Sequence, residues 1–96
     1  MAKGYIVSIH KRIIDEDKLN IYGANAKPAL EAVREKHIAR GSNMSKLEGI
    51  PPERCTILEF ESVEAAKRFY ECDEYQAAKN KLSGKVDRVM FIIEGV

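Results

Sequence analysis

The hydrophobic positions of this chain change period along its length, and each change marks an element boundary. Gly4-Tyr5-Ile6-Val7-Ser8-Ile9-His10 is rich in β-branched and aromatic residues without helical spacing, which predicts a strand. Apolar residues then recur at Leu19, Tyr22, Ala26, Leu30 and Val33, close to the i, i+3, i+4, i+7 spacing of one helix face. Asp15 or Asp17 stands where a side chain can cap that helix. Pro28 falls inside the pattern and Gly23 weakens it, so a kink or break is expected there.

His37-Ile38-Ala39-Arg40-Gly41 is a short second strand ending on glycine, followed by Ser42-Asn43 and Lys46-Leu47-Glu48-Gly49, a run that suggests a bend or bulge. Pro51-Pro52 forces a turn. Arg54 to Phe60 is the third strand. Ser62 caps a helix through Val63, Ala66, Phe69 and Tyr70. Asp73 is expected to open and cap one more helical segment, with Gln76 completing a capping box and Tyr75, Ala78 and Leu82 on one face; Gly84 stops it. Val86 to Glu94 is the fourth strand. The order is βαββαβ, which predicts an α+β ferredoxin-like domain over residues 1–96: a four-stranded antiparallel sheet with helices on one face.

Strand parity adds an inference about assembly. In the first strand Tyr5, Val7 and Ile9 alternate with Ile6, Ser8 and His10; in the fourth, Val89, Phe91 and Ile93 alternate with Met90 and Ile92. Both faces are therefore largely apolar, while the helices cover only one. A homodimer packed sheet to sheet follows; a monomer would need Ser8, His10, Thr56 or Glu59 to make the second face polar.

Composition narrows the partners. The 96 residues carry 16 basic and 15 acidic side chains, a net charge of +1, spread along the whole length. No basic stripe exists to neutralise phosphates or an anionic membrane, so neither nucleic acid nor membrane is expected. Lys79, Lys81, Lys85 and Arg88 crowd together and read as a solvated face near a helix C-terminus. The longest apolar stretch, Val89 to Ile93, is far short of a membrane span, and the N-terminal apolar run is too short for a signal peptide, which suggests a cytoplasmic protein. Cys55 and Cys72 fit neither a metal-ligand spacing nor a disulfide framework.

Lys3-Gly4-Tyr5, Arg40-Gly41, Glu48-Gly49, Glu59-Phe60, Ala65-Ala66, the run Glu74-Tyr75-Gln76-Ala77-Ala78-Lys79 and Glu94-Gly95-Val96 together resemble the domain of unknown function 1330 family. The resemblance covers nearly the whole chain and implies a dimeric α/β-barrel of ferredoxin-like subunits. It also departs from the family pattern: Lys36-His37 stands where members often carry a glycine pair, and Lys81 or Leu82 where an arginine is usual. A lysine there supplies a point charge in place of a planar fork.

No assembled catalytic signature is present: there is no phosphate-binding glycine loop, HExxH or CxxC. What remains is a polar set on neighbouring strands, namely His10, His37, Arg40 and Glu59, with Tyr22 and Tyr75 reaching in from helices. Glu59 and His10 are the candidate proton-transfer groups, and Arg40, Tyr22, Tyr75 and His37 the candidate substrate-binding groups. Each has a plainer reading. Arg40 and Glu59 can be a cross-strand ion pair, His10 a satisfied strand-end side chain, His37 a capping residue, and the two tyrosines core residues with bonded hydroxyls. Two functions are thus expected. One is a cofactor-free isomerase or monooxygenase-like enzyme for an anionic or enolisable small molecule, as the architecture of antibiotic-biosynthesis monooxygenases and muconolactone isomerases implies. The other is a non-catalytic dimeric ligand-binding or stress-related module. Neither histidine has an axial-ligand context for haem, and no cofactor or metal is expected.

Overall fold

The computed structural model describes residues 2–32 and 35–96. Its elements are β1 (Gly4–Ile13), α1 (Glu16–Ala32), β2 (Lys36–Gly41), β3 (Arg54–Phe60), α2 (Val63–Glu71), α3 (Asp73–Leu82) and β4 (Val86–Glu94). The strands form one antiparallel sheet in the order β2-β3-β1-β4, so β1 and β3 are central, as a ferredoxin-like arrangement requires.

Alternation along the strands decides which face each side chain occupies. Ile6, Ser8 and His10 of β1 and Leu58 and Phe60 of β3 are buried beneath the helices. The core joins Ile6, Leu58 and Phe60 to Ala65, Ala66 and Phe69 of α2 and to Tyr75 and Ala78 of α3. Phe60, Phe69 and Tyr75 stack in sequence, with ring centroids 5.4 and 4.7 Å apart. The alanines allow close approach. Gly4 does the same on the strand side: a Cβ built there would lie 2.6 Å from the Ser62 carbonyl oxygen.

Helix ends follow local chemistry. Asp15 Oδ1 accepts from the Lys18 backbone N–H at 3.0 Å, and Ser62 Oγ accepts from that of Ala65 at 3.0 Å. The expected cap at Asp73 is corrected: Cys72 occupies the cap position without a side-chain bond, Asp73 is the first helical residue, and the Gln76 side chain donates to the Tyr70 carbonyl. The expectation for α1 is corrected in part, because the helix runs through Pro28 without a break. Val33 lies outside the described residues.

Helix α1 packs mainly against α3 and stands off the sheet. Its buried positions are Leu19, Ala26 and Ala29, two of them alanines that fill little volume. Space is left between α1, α3 and the strands.

Candidate functional site

That space is a cavity of about 640 Å³. Strand register organises its floor. His10 of β1 is paired with Arg54 of β3 on one side and Arg88 of β4 on the other. In the next row on the same face, Ser8 lies between Thr56 and Met90, and Thr56 in turn pairs with Arg40 of β2. Beyond that row Leu58 closes the floor with apolar surface, paired in register with the buried Ile6 on one side and with His37 on the other.

His37 and Arg40 are three residues apart, a spacing that puts strand residues on opposite faces. A bulge between His37 and Ala39 adds one residue and returns both to the cavity side. Arg40 Nη1 accordingly lies 3.5 Å from His37 Nε2. His37 Nδ1 is 3.2 Å from a Glu35 oxygen, without hydrogen-bond alignment.

Two buried polar residues face the cavity, His10 and Ser8, each 4% exposed; neither ring nitrogen of His10 is hydrogen-bonded to protein, and the Ser8 hydroxyl is also unpartnered. Burial, followed by the positive charges of Arg88 and Arg54, lowers the His10 pKa from 6.5 to about 4. The nearby Arg54 carbonyl counters a small part of that shift without a hydrogen-bonded geometry. The imidazole is therefore neutral at pH 7. An unpartnered buried polar group is costly, so three residues with such groups facing one cavity, His10, Ser8 and Glu35, need an explanation outside core packing.

Opposite His10, Tyr22 and Tyr75 join hydroxyls at 2.7 Å. Arg88 Nη2 donates to the Tyr75 oxygen at 3.2 Å, and its guanidinium carbon sits 4.8 Å from the Tyr22 ring centroid. Burial and the adjacent Tyr22 hydroxyl raise the Tyr75 pKa, so this phenol is neutral. Burial opposes the charge on Arg88, but the oxygens of Tyr22 and Tyr75 outweigh it and its pKa is raised. Arg40, Arg54 and Arg88 all line the cavity, and none has a carboxylate ion-pair partner among the described residues. Lys27 adds positive charge at the wall, against Glu31 and Glu35.

A family model described as Domain of unknown function (DUF1330) matches residues 3–96. The chain belongs to the DUF1330 family. Among solved structures, this DUF1330 protein is similar to a protein of unknown function from Rhodopseudomonas palustris, with 17% identity and a TM-score of 0.79 over 99% of this chain and 83% of the other. It is also similar to a dimeric ferredoxin-like protein of unknown function from Thermobifida fusca, with 12% identity and a TM-score of 0.67 over 99% and 92%. A candidate antibiotic-biosynthesis monooxygenase from Caulobacter crescentus matches at 15% identity and a TM-score of 0.64 over 99% and 90%. These likenesses establish the fold. No functionally curated protein matches the DUF1330 chain in sequence.

The fold brings together five of the six residues singled out from the sequence: His10, Tyr22, His37, Arg40 and Tyr75 all line the cavity. Glu59 is not among them. On β3 it faces away from the helices, where it accepts from the Tyr5 hydroxyl at 3.1 Å and pairs with Lys3 at 3.3 Å. Partial burial favours its neutral form, but the hydrogen bonds from Tyr5 and Lys3 outweigh that and lower its pKa. Arg40 and Glu59 are therefore on opposite faces and form neither an ion pair nor a joint site. Tyr75 is a core residue and Tyr22 packs against the core, their hydroxyls are bonded to each other, and both line the cavity.

Sequence reasoning passed over Arg54, Arg88 and Ser8. Arg88 does not join the solvated face of Lys79, Lys81 and Lys85; it turns inward. The signal was available, since extending the Met90 and Ile92 face of β4 back by two residues reaches Arg88. Among the described residues no cluster of His, Cys, Asp and Glu is placed to hold a metal ion, and no helix is long and apolar enough to cross a membrane.

Proposed function

We propose that this DUF1330 protein is a homodimer that binds a small anionic, enolisable molecule in the cavity and moves a proton on it without a cofactor, with His10 as the base. The observation that carries this reading is a neutral, buried imidazole with two unpartnered nitrogens, set between guanidinium groups that lack carboxylate partners. A base must be unprotonated to act, cations beside it stabilise the enolate that forms, and the charge of a bound anion restores proton affinity that burial and those cations take from the ring. Arg40, His37, Tyr22 and Tyr75 line the binding walls. The proton-moving role expected of Glu59 passes to His10 in this reading, because the Glu59 carboxylate is committed to Lys3 and Tyr5 on the other face. Dimeric neighbours of the same fold support the assembly, and a candidate monooxygenase of that fold supports small-molecule chemistry. Two free, half-buried thiols, Cys55 and Cys72, suit a reducing compartment such as the cytoplasm.

The decisive test is solvent deuterium exchange. In D₂O with a series of short 3-oxo acids, the protein should speed exchange at the acidic carbon above the buffer rate, and His10→Gln should lower that gain by roughly 100-fold or more. Equal rates for the two proteins sink the catalytic reading. The non-catalytic alternative then applies if the same compounds still shift the amide resonances of cavity residues.

A further inference from the structure

The cross-strand row Arg54, His10, Arg88 determines more than the charge of the ligand. Adjacent strands are ~4.8 Å apart, so the two arginine backbones stand roughly 10 Å from each other with the His10 backbone midway. Their surroundings differ. The Arg88 guanidinium is held by the Tyr75 oxygen and the Tyr22 ring. Arg54 is half-buried, lines the cavity and has no ion pair among the described residues. One cation is a fixed donor and the other an adjustable arm. A ligand with a single oxygen-bearing head would engage one guanidinium and leave the other without a partner beside an imidazole that must become an imidazolium during reaction.

We infer that the substrate is two-headed, a short molecule with an acidic C–H between a carboxylate and a ketone carbonyl, as in a 3-oxo acid; a 1,3-dicarboxylate matches the placement of its two oxygen-bearing ends without reacting. This rests on the reading of the cavity as a proton-transfer site and adds the substrate class. Arg54 forks onto the carboxylate, with Arg40 in the adjoining row, and bidentate pairing favours arginine for that task. Arg88, already oriented, faces the carbonyl oxygen on which charge develops. The unpartnered Ser8 hydroxyl, next to His10 on the same face, donates to that oxygen or to the carboxylate. A nitrogen of His10 takes the proton from the central carbon. The C–H pair becomes the C=C bond, and the carbonyl π pair moves to oxygen, which becomes the enolate. The imidazolium then returns its proton to carbon or to the enolate oxygen. No electron acceptor or second reactant is required.

Calorimetric titration of the intact protein with butyrate, malonate and acetoacetate tests the inference. Malonate and acetoacetate should each bind about tenfold or more tightly than butyrate, since each adds a hydrogen-bonded partner for a second cation. Arg54→Gln should reduce that preference to about twofold or less. The variant should fold normally, because Arg54 holds no ion pair among the described residues. If butyrate binds as tightly as malonate, or if Arg54→Gln leaves the preference intact, the two-headed substrate is overturned while the anion-binding cavity stands. If none of the three binds, the cavity reading falls with it.

Discussion

At the scale of single residues, His10 connects the candidate chemistry to folding. Its pKa is about 4 in the folded chain against 6.5 ordinarily. Between those values the unfolded chain takes up a proton that the folded chain does not, so stability rises with pH across this window. The His10 contribution is intact above about pH 6.5 and is lost as pH falls toward 4, by an amount on the order of 3 kcal/mol. Carboxylates also titrate at the lower end, so the measurement is a difference. Urea denaturation at pH 7.5, 5.5 and 4.5 should show wild type losing more stability on acidification than His10→Gln. Parallel losses in the two proteins would show that the imidazole is not held neutral. A bound dianion should oppose the trend, because negative charge beside the ring restores part of its proton affinity.

Among the elements, the legible features were those set by local sequence. β3 and β4 have the bounds that their apolar alternation implies, and Ser62 caps α2 as its position before the helical pattern indicates. β1 runs on to Ile13 because pairing with β4 holds its charged end, a long-range contact with no local pattern. Parity on β1 and β4 was readable in the same way. The facing of β2 against β3 was not, because the bulge after His37 decides whether Arg40 meets the cavity, and its position depends on the partner strand. Arg40 and Glu59 therefore looked like neighbours and are separated by the sheet. One piece of the family resemblance, Gly4, is a physical requirement. Gly4 allows the α2 N-terminus to lie on β1, and a Cβ there would meet the Ser62 carbonyl oxygen at 2.6 Å and the Val63 Cα at 2.7 Å, backbone atoms that cannot rotate away. Gly4→Ala should cost ~2 kcal/mol or more and lower the melting temperature by roughly 10 °C. Gly23→Ala is the control. A Cβ at Gly23 meets nothing within 4 Å, and the helix gains ~0.5–1 kcal/mol on losing glycine. A scan in which both variants melt together would show that the strand-to-helix approach is not what Gly4 serves.

For the whole molecule, the decisive fact is thinness. The described chain measures 34 × 32 × 16 Å, one layer of helices on one sheet. Val89, Phe91 and Ile93 of β4 are 41%, 42% and 54% exposed, and in register with them across the uncovered face lie Ile9, Val7 and Tyr5. Ile57 continues the patch on β3. A face of these dimensions can supply the ~800 Å² per partner typical of a stable interface, and a contiguous apolar patch of that size is unusual on a monomer. The proposed dimer covers it. Phe91→Asp places a charge at the centre of the patch, where a second copy would have to desolvate it, and should convert dimer to monomer in light scattering at micromolar concentration while far-UV circular dichroism is retained. The sheet separates this face from the cavity, since Phe91 and Val7 point one way and His10, Ser8 and Arg88 the other. The monomeric variant should therefore bind malonate within about twofold of wild type, an effect below ~0.5 kcal/mol. If Phe91→Asp is monomeric and loses malonate binding, the second subunit shapes the site. If wild type is itself monomeric at every concentration, the apolar face serves another partner and the sheet-to-sheet dimer is ruled out.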